Sequence, residues 1–229
     1  MAQTTLPGTV AVWGDIACPW ASLAVHRLHA ARTRLGLDDQ VRIDLRAFPL
    51  ELVNGRCTPK RTIDAEVAAI GAHEPALAWQ SWQRRVDEYP SSVLIALSAV
   101  QAAKDESVGG LRASEEIDHA LRKAFYRDSR PIGQWTEVFE VAMSCSGLDT
   151  DALTEVMLSG AGLRAVVEQH DFAERNDVKG SPHLFCPDGS DFHNPGISMK
   201  WTKEQGRGFL VIEKDDPSIY DELLHRAVA

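Results

Sequence analysis

The sequence predicts a mixed α/β protein: an N-terminal βαβ unit and a C-terminal strand pair with a closing helix, separated by a long helical stretch. Three observations carry this. Gly8 to Trp13 is a short Val-containing run of buried-strand character, and Val41 to Phe48 alternates apolar and polar residues. Between them the small and apolar residues Ala21, Ala24, Val25, Leu28, Ala31 and Leu35 fall at helical spacing. From Arg61 to Asn176 the pattern is helical throughout, with no strand signal, before strand character returns at His183.

The elements follow in order. A helix is expected to begin at Cys18, with Pro19 at its first position, where the missing N–H is not needed, and Gly36 as its stop. In the second strand Val41, Ile43, Leu45 and Ala47 point one way, and Arg42, Asp44, Arg46 and Phe48 the other. A strand, helix and strand in that span make a βαβ unit with parallel strands. Asn54 to Lys60 reads as a loop. In the helical stretch Ser92 precedes a run over Val93 to Lys104, and Ser114 is positioned to cap Glu115 to Arg127. Gly147 closes a helix holding Trp135, Val138, Phe139 and Met143, and Asp149 or Thr150 opens the next. After the strand His183 to Cys186, Asp188-Gly189 signals a tight turn with a hairpin partner near Asp191 to His193. Gly208 to Glu213 is a further strand candidate, and Ser218 to Ala227 fits a closing helix.

Composition narrows the function. The 229 residues are 44% hydrophobic and 25% charged, ordinary for a globular chain, and the net charge of -9 disfavours phosphate backbones and anionic lipids as partners. No apolar run has the length of about 20 residues that a spanning helix needs. Met1 to Gly8 lacks a signal-peptide pattern, so a cytoplasmic location with reduced thiols is expected. The cysteines Cys18, Cys57, Cys145 and Cys186 are widely spaced, with no C-x-x-C pair and no metal-like His, Cys or carboxylate spacing. Cys18 stands apart because it falls at a strand–helix junction. There the unpaired N–H groups and the macrodipole favour thiolate and should lower its pKa, with Asp15 opposing by like charge. A cysteine that only packs is the alternative.

Asp15-Ile16-Ala17-Cys18-Pro19-Trp20-Ala21 resembles the D-x-x-C-P-W-C stretch of the DsbA-like branch of the thioredoxin superfamily, nearest to FrnE-type proteins often labelled dithiol-disulfide isomerases. Val178-Lys179-Gly180-Ser181-Pro182-His183-Leu184-Phe185 is similar to that family's V-x-G-x-P loop, whose proline is cis and faces the catalytic cysteine. The phrases RAFPLELVN, SPHLF and HNPGI resemble a group of actinobacterial relatives. The resemblance implies a thioredoxin-like fold (βαβ plus C-terminal ββα) formed by residues 1–60 and 162–229, with an inserted α-helical domain over 61–161. It implies Cys18 as the catalytic thiol. One departure matters: the family's second motif cysteine is Ala21, so a resolving thiol is missing at that place and the usual dithiol cycle is not available.

Around Cys18 the candidates for a substrate- or thiol-binding set are Pro19, Trp20, Ala21, Arg46, Ser181, Pro182 and His183. Ser181 would present its backbone to a bound thiol chain, or be a plain turn residue. Trp20 would pack over the thiol or lid the core. Arg46 would pair an anionic group or lie on a solvated strand face. His183 would act as acid or base, or simply pack. Cys57 is an alternative resolving thiol, Cys145 and Cys186 read as core residues, and His26 and His29 are placed on the exposed side of the first helix. Three functions fit. The first is a monothiol oxidoreductase using Cys18 with glutathione or mycothiol, acting on a small molecule or a protein disulfide. The second is a thiol-dependent isomerase or transferase for a small substrate, and the third a non-catalytic binding or chaperone module. No metal, nucleic acid or membrane partner is expected, and a homodimer is open.

Overall fold

The computed structural model describes residues 5–229; the first part of the stretch Met1 to Gly8 and of the segment 1–60 lies outside the described residues. The N-terminal strand β1 (Thr9–Gly14) is buried at every position after Thr9, as a strand with neighbours on both sides must be. Helix α1 (Pro19–Arg34) follows and is ended by Gly36, whose φ of 69° suits a residue without Cβ. Strand β2 (Arg42–Ala47) buries Ile43, Leu45 and Ala47 and half-exposes the residues between. It pairs with β1 in parallel, Val12 opposite Leu45.

Between β2 and the next strand the chain runs through α2 (Leu50–Asn54), α3 (Lys60–His73), α4 (Leu94–Ala102), α5 (Gly110–Tyr126), α6 (Trp135–Ala142), α7 (Thr150–Leu158) and α8 (Ala161–Arg175). Then come β3 (His183–Phe185), β4 (Asp191–His193), β5 (Ile197–Trp201), β6 (Leu210–Asp215) and α9 (Ile219–Val228). Strand β3 joins β1 antiparallel and β4 joins β3, giving the order β2-β1-β3-β4; β5 and β6 form a separate antiparallel pair. This matches the expected α/β class. Among the described residues no helix is long and apolar enough to cross a membrane.

Strand β2 is an edge, and an edge leaves backbone groups to be satisfied. Three helices supply the partners. The Glu115 carboxylate of α5 accepts from the Ile43 N–H (2.8 Å), and Gln101 of α4 donates to the Leu45 carbonyl (3.0 Å). Gln169 of α8 accepts from the Ala47 N–H (2.6 Å) and bonds Gln101 in turn. Glu115 also takes a hydrogen bond from Arg32 of α1 at 2.7 Å. The helical stretch is thus tied to the sheet by polar contacts as well as by the apolar core.

Two expectations are corrected, and two elements lie where none was predicted. Residues 74–92 are not α-helical; they hold 3₁₀ turns at Pro75–Leu77 and Val86–Glu88 and irregular chain, consistent with Pro75 and Pro90. Ser114 caps nothing: α5 begins earlier, and the Ser114 hydroxyl is buried inside it, donating to the Val100 carbonyl at 2.9 Å. Residues 50–54 form a short helix. Strand β5 was not anticipated, although Ile197, Met199 and Trp201 alternate with Ser198 and Lys200. Asp149 does cap α7, accepting from the Asp151 and Ala152 N–H groups.

Candidate active site

Cys18 is the N-cap of α1, in extended conformation (φ -91°, ψ 112°), with Pro19 at the first helical position. The turn before it is closed by a set of bonds centred on Asp15. One carboxylate oxygen accepts from the Ala17 N–H (2.7 Å) and the other from the Leu50 N–H (2.7 Å). The Asp15 N–H donates to the Ser181 hydroxyl (2.9 Å), and its carbonyl accepts from the Cys18 N–H (3.2 Å) and the Arg122 guanidinium (3.1 Å). Tyr126 donates to the Ile16 carbonyl at 3.0 Å. Arg122 itself is buried and held by Asp118 in a two-bond pair (2.7 and 2.9 Å), with a third contact to the Ser22 hydroxyl.

The Cys18 thiol donates to the Ser181 carbonyl at 3.2 Å. The Ser181–Pro182 peptide is cis. Ala21 packs beneath, with no exposed surface; a Cβ on Gly14 would stand 3.0 Å from its own. Cys18, Trp20, Ala21, Leu23 and Ile70 form one apolar cluster. The β5–β6 pair lays Ile197, Met199, Leu210 and Ile212 against it. Glu66 of α3 is buried in the same region, with Trp20 and, from the β5–β6 turn, Gln205 close enough to favour its carboxylate form. Arg27 fastens the base of this cover, bonding Glu74 at 2.6 Å and both carboxylate oxygens of Asp215.

This environment reverses the expected ionisation of the thiol. Cys18 is only 6% exposed, and burial pushes its pKa up to about 12. Glu66 and Asp15 add to the rise, while the Ser181 side chain and the Ala21 N–H pull the other way. A carbonyl acceptor also favours S–H over S⁻. Burial raises Asp15 to about 6 and Glu66 to about 7, against the backbone and side-chain bonds they accept.

Of the expected set, Pro19, Trp20, Ala21, Ser181 and Pro182 are brought together around Cys18. Arg46 is not: its guanidinium bonds Asp44 at 2.7 Å and lies over the Trp13 ring. His183 is fully buried, accepting from the Lys179 N–H and bonding Asp191 at 2.8 Å, so both ring nitrogens are used structurally. His26 and His29 are half-buried rather than exposed, because α5 brings His119 against that side of α1. All four cysteines are free, and burial pushes the Cys57 thiol up to about 12 as well. Glu66, Arg122 and Tyr126 were missed: in sequence they look like ordinary helix residues, and only tertiary packing buries them. Among the described residues no group of His, Cys, Asp and Glu side chains could hold a metal ion.

A family model described as a DSBA-like thioredoxin domain matches residues 9–203. No curated protein matches the chain. Among solved structures the chain is similar to a probable DsbA oxidoreductase from Streptomyces coelicolor, with 18% identity, TM-score 0.65, and 96% of this chain and 89% of that one covered. It is also similar to a 2-hydroxychromene-2-carboxylate isomerase (16% identity, TM-score 0.56, 80% and 87% covered). A third is the cytosolic disulfide reductase DsbM from Pseudomonas aeruginosa with GSH (18% identity, TM-score 0.52, 95% and 97% covered). At these identities the likeness is one of fold. The expectation of a thiol-dependent oxidoreductase or isomerase agrees with the family and with these neighbours.

Proposed function

The chain belongs to the DSBA-like thioredoxin domain family, and on that premise we propose that it is a monothiol oxidoreductase in which Cys18 reacts and a low-molecular-weight thiol completes the cycle. The observation that carries this reading is the pairing of Cys18 with the Ser181–Pro182 turn while Ala21 occupies the place of a resolving cysteine. The step balances without a second protein thiol. Cys18 attacks a disulfide R–S–S–R′, forming Cys18–S–S–R, and the proton lost from Cys18 leaves on R′–SH. A small thiol G–SH then attacks the mixed disulfide, restoring Cys18–SH and releasing R–S–S–G. Glutathione and mycothiol are the candidates for G–SH, and the presence of GSH in the DsbM structure supports that class.

The test is intact-mass and peptide mass spectrometry after incubation with glutathione disulfide or mycothiol disulfide. A single adduct on Cys18, lost in Cys18→Ser and released by added thiol, is expected. No adduct on Cys18 in the folded protein, or an adduct on Cys57 instead, overturns the reading.

One observation favours a second reading. A thiol raised to about 12 rests as S–H, which is a hydrogen-bond donor. It would then stabilise an external thiolate bound beside it, as an isomerase or transferase using a small thiol requires. Activity kept by Cys18→Ser and lost in Cys18→Ala would select this reading, since only serine keeps a donor.

A further inference from the structure

Away from the Cys18 thiol, a cavity of about 280 Å³ lies between α1, the 3₁₀ turn Pro75–Leu77 and the C-terminal half of α5. That is near the lower end of ligand-sized pockets, roughly 300 Å³ upward. Its polar lining is Ser22 and five basic side chains: His26 on α1 and His119, Arg122, Lys123 and Arg127 on or just after α5. No carboxylate lines it, in a chain of net charge -9. Arg122 and Arg127 bond Asp118 and Asp128, neither of which lines the cavity, and Lys123 has no ion-pair partner among the described residues. The rest of the wall is apolar: Val25, Leu77 and Trp79, the last stacked on Tyr126 at 4.6 Å.

The neighbouring cleft on the same helices makes the contrast. It is larger, about 410 Å³, but it holds Asp38, Asp39, Glu115 and Glu116, and its Arg32 and Arg112 are paired with three of them. Its charge is compensated by carboxylates in its own lining; in the smaller cavity Arg122 and Arg127 are paired only by carboxylates outside the lining, and Lys123 has no ion-pair partner among the described residues. We propose that the smaller cavity is a binding site for an organic anion. The apolar body would lie on Trp79, Leu77 and Val25, and the charged group would face Lys123, Arg127 and the two histidines.

The field in the cavity agrees. Burial lowers His26, with His119 and Arg27 adding to the effect and Glu74 opposing it. Burial lowers His119, with Lys123 and Arg122 adding and Asp118 opposing. An anion among these groups relieves that repulsion, so binding should strengthen as pH falls and take up protons. The site goes beyond the thiol chemistry: Cys18 does not line it, although Ser22 and Arg122, which do, bond each other and Arg122 bonds the Asp15 carbonyl of the Cys18 turn.

The test is calorimetric titration of the reduced 229-residue chain with three probes: 2-naphthoate, its neutral counterpart 2-naphthalenemethanol, and inorganic phosphate. Saturable naphthoate binding, stronger than either of the others by about tenfold or more, is expected. It should weaken at high salt, and it should drop about tenfold or more in Lys123→Glu/Arg127→Glu. The milder Lys123→Gln keeps the test available if the charge reversal unfolds the chain, which the thermal midpoint reports. Naphthoate binding no tighter than the alcohol, phosphate binding as tight as naphthoate, or folded variants with unchanged affinity each overturn the proposal. The same titration on Cys18→Ser separates the two sites. Unchanged binding supports an independent cavity whatever becomes of the thiol reaction, and lost binding overturns it by placing the ligand at Cys18.

Discussion

The turn that carries Cys18 and the cover that lies over it both exclude water, but by different means. The turn is polar and fully bonded. Asp15 alone makes contacts to Ala17, Leu50, Ser181, Cys18 and Arg122. The cover is mainly apolar, with Ile197, Met199, Leu210 and Ile212 over Trp20 and one buried carboxylate, Glu66, at its rim. The difference teaches what sets the thiol. A helix N-terminus is worth up to about 2 kcal/mol to a negative charge. The rise of Cys18 from 9.0 to about 12 corresponds to roughly 4 kcal/mol at ~1.4 kcal/mol per unit. Removal from water by the cover outweighs the favourable end of the helix.

The largest effect should come from breaking the turn. Arg122→Met leaves Asp118, 1% exposed, as a buried charge without its partner, and it strips donors from Asp15 and Ser22. A loss of about 3–5 kcal/mol in denaturant unfolding is expected. Arg122→Met/Asp118→Leu should recover much of it. A cost of the single change near that of an exposed pair, about 1 kcal/mol or less, would show that the turn is not held through Arg122.

The cover should respond to pH. Glu66 is raised from 4.5 to about 7 by burial, so folding favours its protonated form. Its contribution to stability is complete below the unfolded pKa and is lost as pH rises through about 7. The loss is roughly 3 kcal/mol, at ~1.4 kcal/mol per unit. Glu66→Gln keeps an acceptor for Trp20 without the charge. The difference in unfolding free energy, variant minus wild type, should therefore grow by about that amount from acid to slightly alkaline pH. Because Glu66 also raises Cys18, the variant should alkylate faster at Cys18. A flat difference across that range would place Glu66 in contact with water.

The thiol itself gives a smaller signal. A rise of about three units cuts the thiolate fraction about a thousandfold, but a more basic thiolate is more nucleophilic, with a Brønsted slope of about 0.4–0.5. Iodoacetamide should therefore modify Cys18 tens of fold more slowly than a free thiol at neutral pH, before any steric hindrance. Reaction at the free-thiol rate would mean that the cover opens readily.

The same contrast explains what could be read from the sequence. The parallel pair β1–β2, the start of α1 at Cys18-Pro19 and the hairpin turn at Asp188-Gly189 are local patterns, and each was legible. The turn side of the site was legible too, through C-P-W-A and S-P-H-L-F. The cover was not. Strand β5 is short and sits outside the main sheet, and its alternation spans only five residues. Glu66 lies on a helix where a carboxylate normally faces water, and tertiary packing leaves it only 4% exposed, with Trp20 and Gln205 beside it. The expected low pKa of Cys18 failed for that reason. It was a correct inference about the turn, made without the cover.

The smallest effect belongs to Arg46, and it sharpens the boundary of the site. The sequence places Arg46 near the end of β2 as a candidate clamp for an anionic group. In the structure it bonds Asp44 at 2.7 Å and lies 5.7 Å from the Trp13 ring centroid, while Lys104 bonds the same carboxylate at 2.6 Å. Removing Arg46 leaves Asp44 still paired by Lys104, so Arg46→Ala should cost no more than about 1 kcal/mol of stability. It should leave the rate of adduct formation at Cys18 unchanged, because none of the residues that bond the Cys18 turn is a partner of Arg46. Mixed-disulfide formation with glutathione disulfide, followed by mass in wild type and variant, checks this. A clear slowing at unchanged stability would mean that the ligand spans from Cys18 to the end of β2. The thiol site would then reach beyond the turn and its cover to include the sheet edge.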